Sequence, residues 1–190
     1  MKLYMVRHGE SETNLSKSFT GWAQVNLTEK GYEDARRAGE VLKGLSFDRI
    51  YASDLKRAIQ TAQTAIPGCE PILDPLLREI RLGSLEMRKI DECHEAYGEQ
   101  FAEDRQNCNF VPYGGENKEM IRDRIQQFMD KLAADPCDQA VAFAHAGTLN
   151  NMLDLVLGVS LERWRVRCPN CCIAVFVYEN DRWALQSWGL

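Results

Sequence analysis

Short apolar runs alternate with amphipathic stretches along most of this chain. Runs of apolar residues predict strands at residues 2–6, 47–52, 71–73, 140–145, 173–178 and 182–188. Apolar residues at helical spacing predict helices at residues 29–43, 54–66, 117–133 and 148–157. Strands that alternate with helices favour parallel pairing through right-handed crossovers. We therefore predict an α/β fold, a three-layer α/β/α sandwich whose mostly parallel central sheet has about six strands, one of them antiparallel.

Polar residues mark where two of these helices begin. Thr28 and Ser53 each precede a helical pattern, and a hydroxyl there can accept a hydrogen bond from the first turn. Gly158 follows the pattern at residues 148–157, in the position where glycine commonly ends a helix. We therefore expect Thr28 and Ser53 to be N-caps and Gly158 to end its helix.

Residues 76–115 interrupt the alternation with an irregular segment that is rich in Glu, Arg and Gln. We expect loops and short helices there, within one domain that spans residues 1–190, because this length suits a single domain. Polar segments of this kind frequently carry or cover binding sites, so residues 76–115 are a candidate lid. The four tryptophans, Trp22, Trp164, Trp183 and Trp188, are expected to be packing groups. Trp22 is also a candidate for the wall of the substrate pocket.

The composition is that of an ordinary soluble protein, with 45% hydrophobic and 27% charged residues. A net charge of −5 provides no overall basic field, so we expect neither nucleic acid nor a membrane as a partner. No apolar run has the length of an export signal or a membrane span. Seven cysteines cannot all pair within the chain, which favours reduced thiols and a cytoplasmic location. The pattern leaves the oligomeric state open.

Three of the predicted strands end in residues that suit a phosphate ligand. Arg7 and His8 follow the first strand, Ser53 and Arg57 follow the second, and His145 closes the run at residues 140–145. In an open parallel sheet, ligands bind beyond the carboxyl ends of the strands. Guanidinium groups bind phosphoryl oxygens bidentately, and an imidazole can attack phosphorus. We therefore expect His8 and His145 to share one phosphate site, flanked by the two arginines.

Cys168, Cys171 and Cys172 form a second group of reactive side chains. Such a group can supply half of a zinc site or a redox pair. The favoured interpretation is a turn that leads into the strand at residue 173, because no second pair of metal ligands stands at a suitable spacing. No metal site is therefore predicted, and the chemical role of these thiols is left open.

Seven short segments, in chain order, carry a resemblance to a known family. They are Arg7-His8-Gly9-Glu10-Ser11 with Asn14, Phe19-Thr20-Gly21-Trp22, Leu27-Thr28-Glu29-Lys30-Gly31, the segment at residues 53–62, Leu77-Arg78-Glu79 with Gly83 and Glu86, Gly114-Gly115-Glu116, and His145-Ala146-Gly147. Together they resemble the histidine phosphatase superfamily, which includes the cofactor-dependent phosphoglycerate mutases and many small phosphatases. The resemblance covers nearly the whole chain.

The resemblance implies a role for each matching residue. His8 would be the nucleophile that forms a phosphohistidine, and Glu79 would be the general acid and then the base that activates water. The other implied site residues are Arg7, Arg57 and His145 on the phosphoryl oxygens, Asn14, Thr20 and Gly21 in the substrate pocket, and the backbone of Ala146 and Gly147 near the phosphate. A neutral His8 and a cationic His145 are expected, with no metal and no other cofactor.

The same segments favour hydrolysis over the mutase reaction. The stretch between Glu79 and Gly114 is short, and it lacks an Arg-Arg-Ser-Tyr-type run that would grip a carboxylate. Leu82, Leu85 and Met87 stand where relatives often have two aromatic residues and a glycine, which affects the packing of the lid more than the chemistry. We therefore predict a phosphatase that acts on a small phosphorylated metabolite. Mutase-type phosphoryl transfer is the first alternative, and a phosphate-binding module without turnover is the second.

Overall fold

The computed structural model describes residues 1–159 and 166–189, and its six-stranded sheet confirms the predicted α/β fold. The strands are β1 Lys2–Arg7, β2 Arg49–Ala52, β3 Ile72–Leu73, β4 Gln139–Ala144, β5 Ile173–Glu179 and β6 Arg182–Trp188. They lie in the order β3-β2-β4-β1-β5-β6. The first four pair in parallel, whereas β5 is antiparallel to both of its neighbours. The expected single antiparallel strand is therefore confirmed.

Helices cover both faces of this sheet. They are α1 Glu12–Leu15, α2 Glu29–Leu42, α3 Lys56–Ala65, α4 Ile90–Gln106, α5 Lys118–Ala134 and α6 Ala146–Leu157. Val6 of β1 packs with Ala38 and Ala62 of α2 and α3 on one face, and Met5 belongs with Phe128 of α5 to the core of the other face. Successive strand residues point to opposite faces, so both faces of β1 are covered. The sheet therefore lies between two layers of helices, which is the predicted three-layer arrangement.

The carboxyl ends of the central strands adjoin at one edge of the sheet. β1 and β4 pair with Arg7 opposite Ala144, and β2 and β4 pair with Ala52 opposite Phe143. One residue later, the N–H of Ser53 donates to the carbonyl of Phe143 at 2.9 Å. The strand ends that carry the candidate phosphate ligands are therefore neighbours.

The helix ends confirm two of the three expected boundaries. The Thr28 hydroxyl accepts a hydrogen bond from the Gly31 N–H at 3.1 Å, and Gly158 ends α6 with φ at 66°. The prediction of Ser53 as an N-cap is wrong. The cap position of α3 is Leu55, which makes no side-chain cap hydrogen bond. Asp54 and Leu55 therefore separate Ser53 from the first helical residue, Lys56.

The segment at residues 76–115 contains more helix than expected. Besides short 3₁₀ turns at Pro75–Leu77, Gly83–Leu85 and Val111–Tyr113, it carries the 17-residue helix α4. Gly98 kinks α4 with φ at 65°, and the buried ring of Phe101 joins the main core. None of the helices in the described part of the chain has both the length and the apolar character that crossing a bilayer requires. Trp164, predicted to be a packing group, lies outside the described residues.

Candidate active site

His8 lies just beyond the carboxyl end of β1, with its side chain buried. Its backbone N–H donates to the carbonyl of Ala144 at 2.9 Å, which fixes it beside the end of β4. The ring atom Nδ1 lies 2.7 Å from the carbonyl oxygen of Gly9. A carbonyl only accepts, so Nδ1 carries the proton and the neutral ring keeps a lone pair on Nε2. His8 therefore holds the tautomer that a nucleophilic imidazole needs.

Burial and neighbouring charge both favour the neutral form of His8. Burial lowers the pKa of His8 well below its usual value of 6.5, and the guanidinium groups of Arg57 and Arg7 lower it further. The hydrogen bond to Gly9 acts in the opposite direction and is the weakest of these effects. The expectation of a neutral His8 is confirmed.

His145 closes β4 and lies next to His8. The centroids of the two imidazole rings are 5.2 Å apart, and both side chains are buried. Burial lowers the pKa of His145 well below its usual value, with Arg57 the next largest influence. The expectation of a cationic His145 is therefore wrong, because the surroundings that exclude water and carry positive charge favour neutral imidazole.

Arg57 is fully buried in the first turn of α3. Its guanidinium donates to the carbonyl oxygens of Gly21 at 2.9 Å and Ala23 at 3.1 Å, and its buried Nε has no partner in the described residues. Burial lowers the pKa of Arg57 to about 10, while the carboxylates of Glu79 and Glu86 act in the opposite direction. The side chain is therefore cationic at neutral pH, with carbonyls rather than carboxylates as its direct partners.

Arg7 is held from the far end of the chain. Its guanidinium donates to the carbonyl oxygen of Cys168, and its backbone N–H donates to the carbonyl of Cys172 at 3.0 Å. The buried Nε of Arg7 has no partner within the described residues. Arg7 and Arg57 therefore place two guanidinium groups beside the paired imidazoles, as the sequence predicts.

Glu79 reaches the same edge of the sheet through the N-terminus of α6. Its carboxylate accepts hydrogen bonds from the N–H of Ile80 at 2.9 Å and of Gly147 at 3.2 Å. Its carbonyl accepts from Nε1 of Trp22 at 2.7 Å and from the guanidinium of Arg124 at 3.2 Å. A Cβ atom on Gly147 would lie 1.9 Å from a Glu79 carboxylate oxygen, so glycine is required for this approach.

The predicted pocket residues occupy the loops around these groups. The Gly21 carbonyl binds Arg57, and the Thr20 hydroxyl lies 2.6 Å from the Thr13 hydroxyl. Asn14 caps its own short helix, where Oδ1 accepts from the Ser11 N–H at 3.1 Å. Ala146 and Gly147 form the first turn of α6, directly after His145. The structure therefore brings Gly21, Ala146 and Gly147 next to implied catalytic residues, whereas the side chains of Thr20 and Asn14 bind other residues of these loops.

Four supporting groups were missed by the sequence interpretation. Ser53 lies 2.9 Å from Nε2 of His145, and Asn170 donates to the His8 carbonyl at 3.0 Å. The Cys168 carbonyl holds Arg7, and Arg124 binds the carbonyl of Glu79 as well as the carboxylate of Glu116. Ser53 did stand at a strand end, but the roles of the others depend on contacts between residues distant in the chain.

The turn prediction for the cysteine group is confirmed. Residues 170–171 form a turn and β5 begins at Ile173. No disulfide links any cysteines in the part of the chain that the structure describes. Within residues 1–159 and 166–189, no group of three or more His, Cys, Asp or Glu side chains could hold a metal ion.

Solved structures with this fold include three that cover nearly all of the chain. A mycobacterial glucosyl-3-phosphoglycerate phosphatase, solved with VO3, is 25% identical with a TM-score of 0.87, covering 99% of this chain and 98% of its own. The protein TTHB049 from Thermus thermophilus is 30% identical with a TM-score of 0.76, covering 100% and 99%. The α-ribazole phosphatase from Shigella flexneri is 24% identical with a TM-score of 0.90, and the match covers 100% of this chain and 96% of that protein. At this identity the similarity shows the fold alone.

Related sequences lead to the same family. A protein named "Probable phosphoglycerate mutase GpmB" from Erwinia tasmaniensis is 31% identical over 99% of this chain and 90% of its own length. The counterpart of the same name from Cronobacter sakazakii is also 31% identical, with the same coverage. The sequence profile of the histidine phosphatase superfamily (branch 1) matches residues 3–190. With a match of this extent, the chain belongs to the histidine phosphatase superfamily.

Proposed function

We propose that this protein is a phosphatase that hydrolyses a small-molecule phosphomonoester through a phosphohistidine on His8. The observation that carries the proposal is the buried pair of imidazoles, 5.2 Å apart, with the His8 proton held on Nδ1 by Gly9. A lone pair on Nε2 is then available beside the guanidinium groups of Arg7 and Arg57. An imidazole in this state can attack phosphorus, and the two cations can bind the phosphoryl oxygens.

In the first step, Nε2 of His8 forms a bond to phosphorus while the bond between phosphorus and the ester oxygen breaks. Glu79, which enters this step with a protonated carboxyl group, donates its proton to the departing oxygen, so the product leaves as an alcohol and Glu79 becomes a carboxylate. In the second step, a water oxygen attacks phosphorus, Glu79 takes a proton from this water, and the bond to Nε2 breaks. Inorganic phosphate leaves, and His8 and Glu79 return to their starting states.

Charge stabilisation in this scheme comes from Arg7, Arg57 and His145. Phosphoryl transfer depends mainly on positioning and on stabilising charge over the phosphoryl oxygens. The neutral His145 donates one N–H, and a bound phosphoryl dianion raises its pKa by attraction of opposite charges. These three side chains supply the stabilisation without a metal, so we propose a metal-independent phosphoric monoester hydrolase.

Labelling with a radioactive phosphomonoester in the presence of a chelator tests the proposal. Wild-type protein is expected to release inorganic phosphate and to retain an acid-labile label, whereas His8→Ala loses both. Turnover by His8→Ala at the wild-type rate would refute the role of His8. Turnover that disappears with the chelator and returns with a divalent ion would refute the metal-independent scheme.

Phosphoglycerate mutase activity is the second candidate, favoured by the relatives named for it at 31% identity. With 3-phosphoglycerate as substrate, a phosphatase releases inorganic phosphate and glycerate, whereas a mutase produces 2-phosphoglycerate. Separation of these products decides between the two. Binding of orthophosphate without either product would indicate a phosphate-binding module.

We also propose that residues 1–190 form one cytoplasmic domain, with residues 76–115 as its lid. The lid supplies Glu79 to the site and buries Leu77, Leu85 and Phe101 in the main core. The odd number of cysteines, with no disulfide among the described residues, supports a reducing compartment. The substrate is then a small phosphorylated metabolite of the cytoplasm, with no nucleic acid and no membrane as a partner.

A further inference from the structure

Asn170, in the turn before β5, connects the candidate nucleophile to the substrate pocket. Its Nδ2 atom donates to the carbonyl oxygen of His8 at 3.0 Å and to Oδ1 of Asn14 at 3.3 Å. The neighbouring N–H of Cys171 also donates to the His8 carbonyl, at 3.3 Å. The turn that the sequence pattern left without a chemical role therefore contacts two residues of the site.

These hydrogen bonds fix which way the Asn14 carboxamide is turned. The His8 carbonyl can only accept, so the atom of Asn170 that faces it is the NH₂ group. At the other end, the Ser11 N–H can only donate, so the Asn14 atom that faces it, at 3.1 Å, is the carbonyl oxygen. The Ser11 N–H and the Asn170 NH₂ group thus hold Oδ1 of Asn14 from two sides, and the His8 carbonyl sets the orientation of the Asn170 amide.

The NH₂ group of Asn14 is available to bind a ligand. The two hydrogen bonds, from Ser11 and Asn170, occupy both lone pairs of Oδ1. The Nδ2 atom has no partner within the described residues, and the side chain is half-buried. An NH₂ group attracts a phosphoryl oxygen, whereas the reversed amide would present a carbonyl oxygen that repels it.

We propose that Asn170 is a positioning residue, which turns the Asn14 carboxamide so that its NH₂ group donates to the phosphoryl group of the substrate. Asn170 itself does not touch the substrate. The inference rests on the proposed function, because it requires a phosphoryl group at His8, and it adds a residue from the far end of the chain to the site.

A double-mutant cycle on kcat/KM tests the proposal, with p-nitrophenyl phosphate as substrate. We expect Asn170→Ala to lower kcat/KM about tenfold and Asn14→Ala about a hundredfold (about 1.4 and 2.7 kcal/mol). The His8 carbonyl keeps the Cys171 donor in the first variant, so the loss reports on Asn14. The double variant is expected to match Asn14→Ala within threefold. Losses that multiply in the double variant would overturn the proposal.

Asn170→Asp is a second variant of nearly the same shape that cannot donate a hydrogen bond. Its carboxylate repels Oδ1 of Asn14, which therefore loses one of the two hydrogen bonds that hold the amide in place. We expect a loss of kcat/KM at least as large as that of Asn170→Ala, with the exposed Asn107→Ala as an unaffected control. Wild-type kcat/KM in Asn170→Asp would overturn the proposal.

Binding of orthophosphate, measured by titration calorimetry on the whole chain, separates the inference from the proposed function. We expect the dissociation constant to rise about tenfold in Asn170→Ala, in parallel with kcat/KM. Wild-type protein that binds orthophosphate without turning over any phosphomonoester would refute the proposed function alone. Unchanged affinity in both Asn170 variants would refute the inference alone.

Discussion

The hydroxyl oxygen of Ser53 lies 2.9 Å from Nε2 of His145, across 92 positions of sequence. Both side chains are fully buried, at the adjoining ends of β2 and β4. Nδ1 of His145 has no partner within the described residues, so Ser53 is the side chain that orients this ring. The ring in turn lies 5.2 Å from that of His8, which makes Ser53 a support of the proposed catalytic pair.

Replacement of Ser53 by Ala tests this support. We expect kcat/KM for a phosphomonoester to fall about tenfold, which corresponds to about 1.4 kcal/mol of lost transition-state stabilisation. The buried Nε2 of His145 loses its partner, so the free energy of unfolding is also expected to fall by about 1–3 kcal/mol. Steady-state kinetics and denaturant unfolding measure the two effects. Ser46→Ala, at an exposed position, is the matched control, and equal kinetics in both variants would contradict the role of Ser53.

Gly147→Ala is expected to displace the carboxylate of Glu79. The added Cβ would lie 1.9 Å from a carboxylate oxygen, and a flexible side chain can rotate away from it. The variant should therefore fold with nearly wild-type stability but hydrolyse alkyl phosphates at least a hundredfold more slowly, because the proton donor is misplaced. In a Glu79→Ala background the clash is absent. Gly147→Ala should then have little further effect on turnover, and a further hundredfold loss would show that it acts through another residue.

The sequence was sufficient for the strands and for the edge of the sheet where the site lies. The runs that became β1 and β4 are apolar on both faces because helices cover both sides of the sheet. Continuous apolar runs are typical of buried parallel strands. The carboxyl ends of parallel strands lie at the same edge of the sheet, so polar residues that follow these runs come close together. Arg7, His8 and His145 were therefore predictable from the pattern of the chain.

The supports of these residues were not predictable in the same way. Ser53 looks like a helix N-cap in sequence, yet it binds His145 and leaves the cap position to Leu55. Asn170 reaches His8 from the opposite end of the chain. Single hydrogen bonds between distant residues leave no periodic signal, since each depends on how the elements pack. The length of α4 was missed because its apolar positions follow the helical period only weakly.

Glu79→Gln tests the proposed proton donor separately from the other groups of the site. Glutamine keeps the shape of the side chain and can still accept from the Gly147 N–H, but it cannot donate a proton to the leaving oxygen. An alkoxide leaving group needs that proton, whereas p-nitrophenolate is stable enough to leave almost without it. We therefore expect the turnover rate to fall ~10²–10⁴-fold for alkyl phosphates and much less for p-nitrophenyl phosphate. Equal losses for both substrates would assign the acid to another residue.

The lowered pKa values of His8 and His145 predict how stability depends on pH. In the unfolded chain both imidazoles bind a proton as the pH falls through about 6.5, whereas in the folded protein they stay neutral to much lower pH. The unfolded state then holds more protons, so the free energy of unfolding falls as the pH drops below 6.5. The two histidines together lower the free energy of unfolding by up to ~2.7 kcal/mol for each pH unit below 6.5. Well above pH 6.5 they are neutral in both states and contribute no pH dependence.

Urea unfolding at pH 7.5, 6.5 and 5.5 measures this dependence. Replacing either buried histidine by glutamine is expected to remove about half of the loss of unfolding free energy between pH 6.5 and 5.5. Ser46→Ala, at an exposed position without a titratable group, is the control and should leave the loss unchanged. Turnover is expected to persist below pH 6.5, since His8 stays neutral and nucleophilic there. A loss that the His8→Gln and His145→Gln variants both retain in full would contradict the assignment of this pH dependence to the two histidines.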